Sequence, residues 1–187
     1  MTKFISTFFS FLFSASTAIL PRWKRLTCKA RLYNLLEPFD EISINGKKLK
    51  FFIPDRTCIY WVKNGPHSEP ATNNWINSLT STDVFVDIGA NIGYYVLMEA
   101  QCLDKDKGEI IAVEPSKRNF EILKKNLELN KIDDFVELHN KGISDINGIK
   151  DIYLSEHTNL NTFHNYGTGE KFLIGKKQSV EICTIKK

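Results

Sequence analysis

The sequence predicts an α/β protein: a partial, doubly wound parallel sheet preceded by N-terminal helices and a small β-hairpin region. Three observations predict it. From Asp83 onward the apolar pattern runs strand, helix, strand, helix, strand, the alternation that builds a parallel sheet with crossover helices. The first of those strands, VFVDI (84–88), is apolar without alternation, as expected for a parallel strand covered on both faces. Asn45-Gly46 separates EISI from KKLKFFIP, and that dipeptide favours a two-residue hairpin turn.

Composition narrows the class. A chain of 187 residues suits one domain, or one domain with an appendage. With 42% hydrophobic and 25% charged residues it can build a core and stay soluble. Cys28, Cys58, Cys102 and Cys183 are scattered, with no CxxC or Cys/His spacing. This predicts reduced thiols of a cytoplasmic protein and no metal site, rather than a disulfide framework. Lys3, Arg22, Lys24, Arg25, Lys29 and Arg31 precede any acid, so this segment is +6 in a chain of +3 and the remainder is −3. The basic excess is local, which argues against a nucleic-acid partner.

Residues 1–37 form the first expected region. FISTFFSFLFSASTAIL (4–20) is uncharged and apolar, with Ser6, Ser10, Ser14 and Thr17 at helical spacing opposite a Phe-rich face. Three readings stay open: a helix lying in a membrane surface with the following cations on anionic headgroups, a cleaved signal peptide, or a helix docked on its own domain. The basic stretch 22–37 reads as a second helix ending before Pro38. Region two, 38–82, holds the hairpin, a third strand at TCIYWV (57–62) and a short helix at ATNNWINSL (71–79) with Trp75, Ile76 and Leu79 on one side.

The third region, 83–187, carries the chemistry. Its helices are expected at 92–103 and at 116–130, where Ser116 is the N-cap, Phe120, Leu123 and Leu127 face inward, and Glu121/Lys125 and Lys124/Glu128 pair outside. EIIAVE (109–114) and FVELH (135–139) are its second and third strands, and IKDIYLSE and QSVEICTI read as later ones. In an open parallel sheet ligands bind beyond the C-terminal strand ends. Asp87, Gly89, Ala90, Asn91 and Gly93 lie at the first such end, and Glu114-Pro115 at the second. The glycines permit a tight turn and close approach of a ligand. Glu114 has the location to accept hydrogen bonds from two ribose hydroxyls.

Asp87 discriminates between nucleotide-like ligands. A dinucleotide calls for GxGxxG with its pyrophosphate at the helix N-terminus. Here Asn91 replaces the middle glycine, and Asp87 would oppose a phosphate. S-adenosylmethionine has no phosphate and carries an ammonium and a sulfonium, so the same carboxylate favours it over a nicotinamide cofactor.

DIGANIGYY, AVEPSKRNFEILKKNLELN and HNKGISD together resemble the FkbM-type methyltransferases, a branch of the Rossmann-like class I S-adenosylmethionine-dependent fold, over about residues 65–185. The resemblance implies that Asp87, Gly89, Ala90, Asn91 and Gly93 line the methionine end of the cofactor. It implies Glu114 on the ribose, Pro115 on the adenine side and Gly142 bordering the adenine. Glu69 resembles the acidic position before the fold's first helix. The implied reaction is O-methylation of a hydroxyl on a glycan, lipid-linked or secondary-metabolite acceptor.

The chain ends at EICTIKK, short of the Leu-Asp and Asp-x-Glu-Gly segments of the resembling family. A carboxy-terminally incomplete domain is therefore expected, with Val84, Phe85 and Val86 on an exposed sheet edge. The rival reading is a catalytically inactive remnant that binds cofactor or a partner without turnover. No catalytic residue is assigned, since His67, His139, His157 and His164 have no partner acid at telling spacing.

Overall fold

The computed structural model of the chain describes residues 39–44, 47–52, 62, 69–155 and 173–185. The apolar segment 4–20, the basic stretch 22–37, His67, His157 and His164 lie outside the described residues. Of the expected third strand only Val62 is described, and it is helical and buried. A short apolar run reads equally as strand or buried helix, and only tertiary context decides.

Three sheets organise the described residues. β1 (Phe39–Ile44) and β2 (Lys47–Phe52) are antiparallel, with Ile44 opposite Lys47. Asn45 and Gly46, where the sequence predicted the turn, lie outside the described residues. β3 (Val84–Ile88), β4 (Glu109–Val113) and β5 (Val136–His139) form a parallel sheet in that order, with Ile88 beside Val113 and Val113 beside His139. In the third sheet β8 (Leu173–Cys183) lies between β6 (Gly142–Ile143) and β7 (Gly148–Ser155), parallel to β6 and antiparallel to β7.

Helices cover one face of the parallel sheet. α1 (Pro70–Ile76) begins with proline at its first turn, where a missing N–H costs nothing. Its Ile76 is buried, while Trp75 stays more than half exposed and leans on Phe85 at 6.0 Å. α2 (Tyr94–Glu99) is shorter than the predicted 92–103. Ile92 and Gly93 belong to the preceding turn, and Cys102 and Leu103 both donate to the Glu99 carbonyl, at 2.8 and 3.1 Å, which closes the helix. α3 (Lys117–Asn130) matches its prediction: Ser116 Oγ accepts from the Asn119 N–H, and Lys131 ends the helix in the left-handed conformation. Leu123 and Leu127 are fully buried; Phe120 is only half-buried, and Ile122 takes the inward place instead.

The core gathers Phe85, Ile110, Ala112 and Val136 from the strands against Val96, Leu97, Leu123 and Leu127 from the helices. Phe51 of the hairpin joins it and stacks on Tyr94 at 5.8 Å. The hairpin is anchored by two asparagines one turn apart on α3. Asn126 Oδ1 accepts from Phe52 N at 2.6 Å, and Asn130 both accepts from Lys50 N (2.9 Å) and donates to Lys50 O (2.7 Å). Two side-chain amides thus stand in for a neighbouring strand at the edge of β2. Lys125, between them, sits 3.8 Å above the Phe52 ring.

The opposite sheet face departs from the sequence prediction. The apolar run 84–88 was expected to be covered on both sides, but burial alternates and Val84, Val86 and Ile88 are 59%, 47% and 52% exposed. Val86, Ile88, Ile111 and Val113 instead line an open apolar groove of about 350 Å³ that Ile143 and Ile185 border on the side of the third sheet. Among the described residues β3 and β5 are the two edges of their sheet. Among the described residues no helix is long and apolar enough to cross a membrane.

Candidate functional site

The loop from β3 to α2 is built on left-handed backbone. Gly89, Asn91 and Gly93 have φ of 83°, 52° and 84°. Asparagine is among the few residues that tolerate this region, so Asn91 is affordable there where most side chains are strained. At Gly89 an added Cβ would meet nothing, so that side of the loop is open space. At Gly93 it would collide with Leu123 of α3, so glycine is needed for close packing.

Strand β4 holds this loop. Gly89 N and Ala90 N both donate to Val113 O, at 2.8 and 3.0 Å. The next residue supplies the strongest link. Glu114 Oε2 accepts from Asn91 N at 2.8 Å, and Oε1 accepts from Ser116 N at 2.8 Å and Asn119 Nδ2 at 3.4 Å. The side chain is 4% exposed. Glu114 therefore bridges the loop after β3 and the turn after β4, with one lone-pair site, on Oε2, left for a further donor. Burial raises its carboxyl above the ordinary range against the lowering by these N–H groups, and the charge of Asp87 adds to the rise.

Asp87 sits beside it at the C-terminal end of β3. Burial alone pushes its carboxyl up to about 6. Asn91 adds a buried acceptor: its Oδ1 has no hydrogen-bond partner among the described residues. Two neighbouring carboxylates and an orphaned carbonyl leave the loop rich in acceptors and poor in donors. A cationic or donor-bearing ligand fits that imbalance and a phosphate does not.

The far side of the site is a turn clamped by amides. Asn140 Nδ2 donates to Glu114 O at 2.7 Å and lies 3.3 Å from Pro115 O. Gln178 of β8 donates to Pro115 O and accepts from Lys117 N, each at 3.1 Å. Gly142 is buried in β6, paired with Ile182 of β8. The structure thus brings Asp87, Gly89, Ala90, Asn91, Gly93, Glu114 and Pro115 together at adjacent strand ends, while Gly142 belongs to the third sheet.

Glu69, just before α1, has a partner the sequence did not name. Tyr95 Oη donates to Glu69 Oε2 at 2.6 Å, tying α1 to the first turn of α2. Burial first, and then Glu69, hold the Tyr95 hydroxyl well above its usual range, so it stays protonated and remains a donor. Sequence reading also missed Asn119, Asn126, Asn140 and Gln178. Asn119 and Asn126 carried a usable signal, being amides on the inward side of an otherwise amphipathic helix. His139 lies 2.7 Å from Glu137 at the end of β5, and among the described residues no cluster of His, Cys, Asp and Glu could hold a metal.

Comparison with known proteins follows the same lines. The family model described as the methyltransferase FkbM domain matches residues 87–185, more than half of the chain. No curated protein matches. Among solved structures, an S-adenosylmethionine-dependent methyltransferase from Agrobacterium tumefaciens is similar at 17% identity over 57% of this chain and 33% of its own, with a TM-score of 0.40. An S-adenosylmethionine-dependent O-methyltransferase from Thermotoga maritima is similar at 16% identity over 62% of this chain and 47% of its own, with a TM-score of 0.37. A complex of aTrm5 with tRNALeu contains a chain similar at 19% identity, over 62% of this chain and 40% of its own, with a TM-score of 0.39. The chain thus spans less than half the length of each of these solved relatives. With its three motifs inside the matched span, the α/β chain belongs to the family of the methyltransferase FkbM domain.

Proposed function

We propose that residues 83–187 form the cofactor-binding portion of an O-methyltransferase, with 1–37 and 38–82 as preceding regions, acting on a hydroxyl of a glycan, lipid-linked or secondary-metabolite acceptor in the cytoplasm. The acceptor class is carried over from the family resemblance. The observation that carries the cofactor reading is the pairing at the β3 end: a half-buried Asp87 whose carboxyl is pushed up to about 6 by desolvation, beside Asn91 Oδ1, which has no partner among the described residues. When bound, S-adenosylmethionine supplies an electrophilic methyl group on a sulfonium. Asp87 would hold its ammonium, and Asn91 Oδ1 would accept a further donor. Glu114, already ordering the loop and the turn, would accept one ribose hydroxyl on the lone-pair site left at Oε2. These residues orient the methyl donor, and orientation supplies much of the catalysis of such a transfer. No group on the described residues is assigned as the base.

Isothermal titration with S-adenosylhomocysteine tests this. The folded chain is expected to bind, and Asp87→Ala is expected to weaken binding by roughly tenfold or more, as loss of a charge-assisted contact does. Absence of heat at millimolar ligand, or unchanged affinity in the variant, overturns the reading.

A further inference from the structure

We propose that Gln178 is a positioning residue for the purine of the cofactor: a side-chain amide from the third sheet that sets the Glu114–Pro115 turn. The proposal rests on the cofactor reading above. The β4–α3 turn carries backbone groups that the helix cannot satisfy itself, because first-turn N–H groups have no intrahelical acceptor. Ser116 N is taken by Glu114 and Asn119 N by Ser116. Lys117 N is taken by Gln178 Oε1, 61 residues away, and the same amide donates to Pro115 O. A single planar group thus grips the turn on both sides of Ser116. Asn140 holds the Glu114 carbonyl from the β5 end.

With the ribose at Glu114, Pro115 and the turn after β4 would border the purine, and the position of Pro115 would then shape that wall. Gln178 touches neither ligand nor reacting atom and acts through Pro115. The Lys117 bond is exposed and the Pro115 bond only part-buried, so water can replace them in a variant. Losing the amide should therefore cost little stability while freeing the turn to move.

Titrate the full chain with S-adenosylhomocysteine and, separately, with adenosine, which lacks the methionine end. Gln178→Ala is expected to weaken both by the same factor, roughly tenfold, with the melting temperature nearly unchanged. Asp87→Ala is expected to weaken S-adenosylhomocysteine alone. Ser179→Ala removes a comparable bond in the same strand, to Asp151 Oδ1 at 2.8 Å, and is expected to weaken neither. If Gln178→Ala melts early, Gln178→Glu serves instead: it keeps the acceptor for Lys117 N, loses the donor to Pro115 O, and must still weaken adenosine. Wild-type affinity for adenosine in the folded Gln178 variant overturns the clamp, as does equal weakening by Ser179→Ala. A wild-type chain that binds neither probe overturns the cofactor reading itself.

Discussion

Asp87 links the protonation of the chain to its ligand. Its carboxyl has an ordinary value of 3.8 and is pushed up by burial to about 6 in the folded protein. Between those values the folded state binds more protons than the unfolded one, so stability falls as pH rises through the window and levels off above it. A bound ammonium reverses the preference, because it favours the ionised form. Affinity for S-adenosylhomocysteine should therefore climb between pH 5 and pH 7 by more than affinity for adenosine, whose contact at the raised Glu114 carboxyl is common to both ligands. Asp87→Asn should flatten the first profile; a variant that keeps the slope shows that another group is titrating. Glu99 provides an independent case away from the loop. It is fully buried, with both carboxylate oxygens unpartnered among the described residues. Burial, then the charge of Asp83, raises it to about 7 from 4.5. Its ionised form burdens the fold most above pH 7. Glu99→Gln should raise the melting temperature by a few degrees at pH 8, with the gain shrinking toward pH 5. An equal gain at both values would mean that packing, not charge, is responsible.

At the scale of elements, the asparagines of α3 join hairpin, helix and loop. Asn126 is fully buried, accepts from Phe52 N and donates to Ile92 O at 2.7 Å. Asn126→Ala would strand a part-buried donor on β2 and a buried acceptor in the loop, at a cost of about 1–3 kcal/mol. Chemical denaturation should show that loss, and Asn126→Asp, which keeps only the bond to Phe52, should recover part of it. If alanine costs under about 0.5 kcal/mol, the hairpin is held by its apolar face alone. These joints explain what the sequence disclosed and what it withheld. β3, β4, β5 and α3 were legible because short apolar runs, a serine cap and a 3.6-residue period are local. So were Asp87, the loop glycines and Glu114, which follow from where the strands stop. The amide partners were not: Asn126 reaches 74 residues back and Gln178 reaches 61 and 63, and although the inward place of Asn126 on α3 was readable, no local pattern names the distant backbone it meets. The inward role of Glu114 was hidden for the same reason, since it depends on how the loop wraps over the turn. α2 was read too long because Ile92 and Leu103 continue its apolar character after its hydrogen bonds have ended.

The whole molecule is asymmetric about its parallel sheet. Among the described residues one face carries α2, α3 and the hairpin; the other leaves an apolar groove open, and β3 is one of its two edges. The sequence concealed this half-coverage because a central buried strand and an uncovered edge strand read alike when every residue is apolar. A parallel edge strand with unpaired backbone groups and exposed Val84, Val86 and Ile88 is a template for pairing with another chain. Ile149 and Ile146 are also exposed, at 78% and 61%, but they lie outside the groove-lining set and solitary exposed apolar side chains are ordinary. Val84 is the place to intervene, because it is the most exposed of the three and lies at the opposite end of β3 from Ile88 and the loop. A lysine there would set a charge on the edge, the device by which natural sheets resist edge pairing. Val84→Lys should lower concentration-dependent light scattering and raise the monomer fraction, with S-adenosylhomocysteine affinity unchanged. Its effect on stability should stay within about 0.5 kcal/mol, since an exposed site loses little packing. Scattering that is indifferent to this charge would place the source of association elsewhere on the surface, and the β3 edge would then need no partner to remain soluble.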